Sequence, residues 1–216
     1  MVAQHLDQLP AGSTGRRYRG QSPEERRADQ RNRLVRAAID EFAARGFHKT
    51  SVEDIVRRAK TSRTAFYAFF DNREDAMYGA LQTTLRDLLA DVRSSIFQAG
   101  PDDDLVEVGI GAYVEHLAAD PAAATIVLLE GIGTSTEVNA LRSRMRRELA
   151  DLLRGMWAEF DPLAANAPEA RAISVGLLGI ITESMVHLIE TDRLSDAPQH
   201  VPALVAALER VFAPRA

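Results

Sequence analysis

The stretch TSRTAFYAFF, Thr61 to Phe70, places one arginine and four aromatic residues in ten positions of an alanine-rich chain. Its polar groups suit hydrogen bonding better than bond making. The Arg63 guanidinium can fork onto the two acceptors of a guanine edge, a contact that discriminates by about 1–3 kcal/mol, or it can clamp a phosphate. Thr64 and Ala65 are small enough to let a helix lie close to its partner, and their methyl groups suit thymine. Tyr67 can donate its hydroxyl to a phosphate. Covalent and metal chemistry find less support. The chain has no cysteine, which removes thiolate nucleophiles, thiolate metal sites and disulfides together. Glu183 and His187 share a helix face at i, i+4, but two ligands without a third do not make a metal site. No nucleophile–base pair and no phosphate-cradling glycine loop is legible. No enzyme activity, cofactor or metal is expected.

The elements around the stretch are helical. Ser22-Pro23-Glu24-Glu25 is a helix start, with a Ser cap, Pro at the first position and acids in the first turn. Leu34, Val35, Ala38, Ile39 and Phe42 then recur at helical spacing up to a stop at Gly46. Thr50-x-x-Glu53 reads as a capping box opening a short second helix with a Val52, Ile55, Val56, Ala59 stripe. Lys60-Thr61 is its turn. Ser62 caps a third helix running to Phe70, and DNRED, Asp71 to Asp75, breaks the chain before a fourth. At about 100° per residue Phe66 and Phe70 share one face, with Thr64 and Ala68 opposite. A bracing helix followed by two short helices and a tight turn is a helix-turn-helix, whose second short helix enters the major groove. Free amides at the helix N-termini add anion sites, with Thr50, Ser51 and Arg73 placed to reinforce them. A three-helix bundle with an arginine on a solvated face shows the same periodicity, so spacing leaves both readings open.

Composition fits a mostly helical globular protein: 216 residues, 46% apolar, net charge −5. The charge is uneven. Up to Tyr78 there are 15 Lys and Arg against 11 Asp and Glu; beyond it there are 11 against 20. A basic N-terminal part points to a nucleic-acid surface there. Met1 to Gln21 reads as a disordered basic arm, with no apolar run of a secretory signal. After Glu74 a long helix runs to Gly100-Pro101. The acidic DDD at 102–104 starts another that ends before Pro121, Pro121 a short one to Gly131 or Gly133, and Thr136 a long one to Phe160. Pro168 opens an eighth helix, apolar nearly all round, and Val201 a ninth. Glu183 and His187 interrupt the most apolar run, Ile173 to Ile189, which makes it a poor membrane span.

From Gly46 to Met77, GFHKTSVEDIVRRAKTSRTAFYAFFDNREDAM resembles the DNA-binding signature of the TetR family of transcriptional regulators. The matching residues are Gly46-Phe47, Thr50-Ser51-Val52, Asp54-Ile55, Ala59, Ser62, Phe66-Tyr67, Phe69-Phe70 and Arg73-Glu74. Three positions depart from the pattern: Lys60-Thr61 stand where the family usually has Gly-Val, Thr64 where glycine is common, and Phe69 where histidine or tyrosine is common. The resemblance implies an all-α fold in three parts: a disordered basic arm at 1–21, a DNA-binding domain at 22–73, and a helical ligand-binding and dimerisation domain at 74–216. It implies a cytoplasmic regulator, usually a repressor, that binds a palindromic operator as a homodimer and is released by a small apolar or amphipathic effector, with no membrane partner. The DNA-binding set is then Thr50, Ser51, Lys60, Thr61, Ser62, Arg63, Thr64, Ala65, Tyr67, Phe69 and Arg73. The effector set is Phe97, Tyr113, His116, Met145, Trp157 and Glu183, apolar bodies with a few polar handles. The implied dimer uses the last two helices through Ile173, Gly176, Leu177, Ile180, Ser184, Leu188, Leu204, Val205 and Leu208. A helical enzyme, or a protein-interaction adaptor, retaining a vestigial helix-turn-helix is the alternative.

Overall fold

The structure, a computed structural model, describes residues 22–212; the N-terminal arm expected at Met1 to Gln21 lies outside them. Every regular element among the described residues is helical: α1 (Pro23–Arg45), α2 (Val52–Arg58), α3 (Arg63–Tyr67), α4 (Arg73–Gln98), α5 (Leu105–Ala119), α6 (Pro121–Thr125), α7 (Thr136–Phe160), α8 (Pro162–Ala165), α9 (Ala170–Glu190) and α10 (Val201–Phe212). Local chemistry sets most of the starts. Ser22 Oγ accepts from Glu25 N at 3.1 Å while Glu25 Oε2 accepts from Ser22 N at 2.5 Å, a reciprocal cap on α1. Asn72, Asp104, Ser135 and Asp161 cap α4, α5, α7 and α8 through their side chains. Gly46, at φ 80°, ends α1 with its N–H on Phe42 O.

The capping box of α2 sits one residue later than expected. Ser51, not Thr50, is the cap, and its partner is Asp54. Thr50 is buried, and its one hydroxyl proton is shared between the carbonyls of Gly46 at 2.9 Å and Glu41 at 3.1 Å, tying the start of α2 to the end of α1. Three further elements went unanticipated: a 3₁₀ turn at Phe47–Lys49, the single turn α8 and a 3₁₀ segment, Leu194–His200, ahead of α10. The helix expected from Pro168 begins at Ala170. α6 runs on into a π-helical segment, Ile126–Glu130, closed by Gly131 N on Ile126 O at 3.0 Å.

One core runs through the whole chain, from Leu34, Phe42 and Phe66 through Leu81 and Leu88 to Tyr113, Trp157 and Met185. The 26-residue α4, about 39 Å long at 1.5 Å per residue, spans it, packing on α1, α5 and α7. Packing is tight where glycine permits: a Cβ on Gly79 would stand 2.7 Å from Phe70 Cε1, and one on Gly109 would stand 2.6 Å from Met156 Sδ. α9 is long and apolar enough to cross a membrane by length and composition, but one flank lies against α7 within the core.

Candidate DNA-binding surface and effector half

The α2–turn–α3 unit is held from below. Phe66 is 0% exposed and Phe70 is buried beside it, with ring centroids 5.5 Å apart. Burying those rings is worth about 2–3 kcal/mol each, and it fixes which edge of α3 faces out. Ser62 Oγ accepts from Ala65 N at 3.1 Å to start the helix. The turn before it is a Schellman closure, with Lys60 N on Arg57 O at 3.2 Å and Thr61 N on Val56 O at 3.0 Å. Lys60 takes the left-handed position of that closure, φ 50°, where glycine is the unstrained residue.

The outward edge carries Lys60, Ser62, Arg63, Thr64 and Tyr67, the last 48% exposed. Ala65 is half-buried. Arg63 Nη1 lies 2.6 Å from Glu53 Oε1 on α2, and its guanidinium is 6.0 Å from the Tyr67 ring centre. A hydrogen bond to Tyr67 first and the Glu53 charge second raise the Arg63 pKa above its ordinary value.

Five other residues expected at the surface support it instead. The Thr50 hydroxyl is buried and committed, as described above. Arg73 donates to Thr50 O at 3.1 Å and His48 O at 3.4 Å and stacks 4.3 Å over the Phe47 ring, so it clamps the loop before α2. Ser51 spends its hydroxyl on Asp54 at 2.6 Å, and those bonds, with Arg57 and Arg45 nearby, hold the Asp54 pKa far below the carboxylate range. Phe69 is half-buried beneath the Arg27 guanidinium at 4.9 Å, while Arg27 also donates to Ala68 O, so the ring props α3 against α1. Thr61 is half-buried, its hydroxyl 3.5 Å from Gln30 Nε2.

Two links that local sequence does not signal join this unit to the C-terminal helices. Glu130 Oε2, at the end of the π segment, accepts from Phe47 N at 2.9 Å. Asp120, which caps α6, pairs with Arg36 of α1. From Arg36 a ladder of ion pairs continues through Asp40, Arg58, Glu41 and Arg45 to Asp54 at the cap of α2. The ladder neutralises Arg36, Arg45 and Arg58 within the unit.

The effector candidates separate into three groups. Tyr113, Met145 and Trp157 are buried between α5, α7 and α9. The Tyr113 hydroxyl is 3.5 Å from Thr182 Oγ1, and burial raises its pKa. Close by, Arg142 donates to Val127 O in the π segment, and burial pulls its pKa down. His116 lies at the rim of the α4–α5 contact, with Nδ1 2.5 Å from Asp91 Oδ2. Phe97 is 89% exposed in the last turn of α4, and Glu183 is exposed on the outer face of α9, so neither lines the interior.

That outer face forms a groove of about 740 Å³ between α9 and α10, lined by Gly176, Gly179, Ile180, Glu183, Ser184 and His187 with Leu188 and Leu204 beneath. Ile180 is 47% exposed, and Ile173 is half-buried. Leu177, Val205 and Leu208 are buried inside the subunit and, unlike Leu188 and Leu204, do not line the groove, which corrects their place in the expected interface. Glu183 and His187 gain no third ligand: no group of three His, Asp or Glu residues able to hold a metal exists among the described residues.

A helix-turn-helix braced by α1 and α4, with a helical half behind it, defines a transcriptional regulator, and residues 34–76 match the family described as bacterial regulatory proteins, tetR family. Over those residues the chain carries the DNA-binding signature of that family. It is 24% identical over 199 residues to the HTH-type transcriptional activator FasR of Mycolicibacterium smegmatis, a match covering 92% of this chain and 88% of that protein. Two solved structures share the fold. The fatty acid degradation regulator FadR from Bacillus halodurans superimposes with a TM-score of 0.74 at 20% identity, covering 87% of this chain and 95% of that one. The transcriptional regulator FadR from Bacillus subtilis, in complex with stearoyl-CoA, gives 0.73 at 18% identity, covering 82% and 96%. These relatives are regulators, not enzymes.

Proposed function

We propose that this regulator is a cytoplasmic repressor that binds a palindromic operator as a homodimer and is released by a long-chain fatty acyl-CoA. The observation that carries the DNA-binding part is the two-sided α3, with Phe66 and Phe70 anchored in the core and Lys60, Ser62, Arg63, Thr64 and Tyr67 turned outward. A helix presented in this way enters a major groove with its N-terminal residues on base edges. Two such helices, about 34 Å apart or a multiple of it, read two half-sites, and the α9–α10 groove is the surface on which a second copy would seat to provide the twin. Ile173, Gly176, Ile180, Ser184, Leu188 and Leu204 then form the interface. The DNA-binding unit corresponds to residues 22–73 and the sensing half to the remainder.

The effector class rests on the stearoyl-CoA of the B. subtilis relative. The interior here suits an acyl chain in character, since Met145, Met156 and Met185 are buried around α5, α7 and α9, and methionine repacks readily. Met156 fills the space against Gly109, so a chain entering there has to displace it. Tyr113 and Trp157 would line the path. A second reading, activation, is favoured by the name of the mycobacterial relative.

The test is fluorescence anisotropy with duplexes enriched from a random-sequence pool, titrated with stearoyl-CoA, alongside sedimentation of the free protein. Palindromic duplexes, a dimeric protein and DNA release by the acyl-CoA support the reading. Enrichment of no sequence, or a monomer at DNA-binding concentrations, overturns it, and a transcription assay on the enriched sequence separates repression from activation.

A further inference from the structure

The ion pairs of the DNA-binding half differ in where their cations sit. Arg36, Arg45 and Arg58 pair with Asp40, Glu41, Asp54 and Asp120, and they staple α1 to α2 and α6. Arg63 is the paired cation that sits on the exposed edge of α3. Its partner Glu53 belongs to α2, the helix that crosses the phosphate backbone in this class of motif. Both members are open to solvent, with side chains 62% and 52% exposed, and they meet at 2.6 Å. A carboxylate on a phosphate-facing edge repels the DNA backbone, and a stability role does not account for it, because an exposed pair contributes about 0–1 kcal/mol.

The geometry points to Glu53 as a specificity-determining residue that positions Arg63 for a base edge and withholds it from phosphates; this rests on the DNA-binding reading above. A guanidinium has five N–H donors in a planar fork. Glu53 occupies Nη1, which leaves donors on Nη2 and Nε for a second partner. A guanine edge offers two neutral acceptors and can be taken while the Glu53 contact is kept. A phosphate brings a full negative charge toward Glu53, so gaining it means losing the pair or meeting the repulsion. The same carboxylate thus permits base contact and opposes backbone contact, and it fixes the plane of the fork before DNA arrives. Tyr67, which also accepts a hydrogen bond from the guanidinium and has its ring centre 6.0 Å away, limits the alternative positions.

The experiment measures binding of wild type, Glu53→Gln, Glu53→Asp, Arg63→Ala and the Glu53→Gln/Arg63→Ala double variant to two duplexes over a range of salt. One duplex is the sequence that the wild type enriches from a random pool; the other is its scrambled counterpart. Glu53→Gln is expected to bind the scrambled duplex about 3- to 10-fold more tightly, with the slope of log K against log salt steeper by about 0.9 per subunit, the signature of one added phosphate contact. Its preference for the enriched duplex falls at least tenfold. Glu53→Asp, which keeps the charge but is too short to reach Nη1, loses preference without gaining scrambled-duplex affinity. In the double variant the gain disappears. The inference is overturned if Glu53→Gln leaves scrambled binding and its slope unchanged, or if the gain survives in the absence of Arg63. A wild type that enriches no duplex sinks the DNA-binding reading instead.

Discussion

Replacing Lys60 by glycine should stabilise this protein while weakening its hold on DNA, and the two effects separate cleanly. Lys60 occupies the left-handed position of the α2–α3 closure at φ 50°, where a residue with a Cβ is strained by about 1–2 kcal/mol. Glycine removes that strain but has more freedom to lose on folding, about 0.5–1 kcal/mol. The net gain is about 0.5–1 kcal/mol, or a rise in Tm of about 1–4 °C for a chain of this size. Lys60→Ala is the control, since it removes the charge and keeps the Cβ. Thermal unfolding at one fixed protein concentration, without DNA, should rank Lys60→Gly above a wild type and Lys60→Ala that lie together. Against scrambled duplex both variants should lose equally, each lowering the salt slope by about 0.9 per subunit. A Lys60→Gly protein no more stable than Lys60→Ala would refute the backbone reasoning. An unchanged salt slope in both variants would refute a contact between the exposed Lys60 ammonium and a phosphate.

Phe66→Ala should cost about 3–5 kcal/mol by urea denaturation, because the ring is fully buried beneath α3; a loss under 1 kcal/mol would mean that the helix is not anchored there. Glu130→Ala removes the acceptor of Phe47 N and should lower stability by about 1–2 kcal/mol. The same change should shrink the effector-induced shift in DNA affinity about fivefold, a loss of about 1 kcal/mol of coupling, as measured by anisotropy with and without stearoyl-CoA; an unchanged shift would show that this link transmits nothing. Burial pushes the Asp120 pKa up, but the Arg36 hydrogen bond and the backbone N–H groups of Ala123 and Ala122 outweigh it and leave it below its ordinary 3.8. Its contribution is therefore present above pH 3.8 and fades as pH falls through the lower folded value. The stability difference between wild type and Asp120→Asn in urea should hold near neutral pH and vanish in strong acid; a difference that grew on acidification would reverse the sign.

The N-terminal helices were legible because their signals are local. Ser22 with Glu25, the Phe66 and Phe70 spacing, and Gly46 each act within a few residues. The one-residue error at α2 has a physical source: Thr50-x-x-Glu53 and Ser51-x-x-Asp54 are equally good capping boxes by sequence. The carbonyls at the end of α1 decide between them by taking the Thr50 hydroxyl. Arg73 and Phe69 likewise bear residue types suited to DNA but are claimed by tertiary partners, Phe47 and Arg27. Asp120 with Arg36 and Glu130 with Phe47 join residues more than eighty positions apart, and no periodicity encodes such pairs. Phe97 was misplaced because its apolar type suggested an interior that the last turn of α4 does not provide. In α9 the apolar character all round was clear from sequence, but which flank met α7 was not: Leu177 turned inward and Ile180 outward.

The most direct measurement is the affinity of wild type and Arg63→Ala for the duplex that the wild type enriches, at matched salt and with folding verified by circular dichroism. If the outward edge of α3 reads a base through the Arg63 fork, the variant binds about 5- to 150-fold more weakly, the equivalent of 1–3 kcal/mol. Equal affinity of the two proteins would place the reading surface somewhere other than this edge.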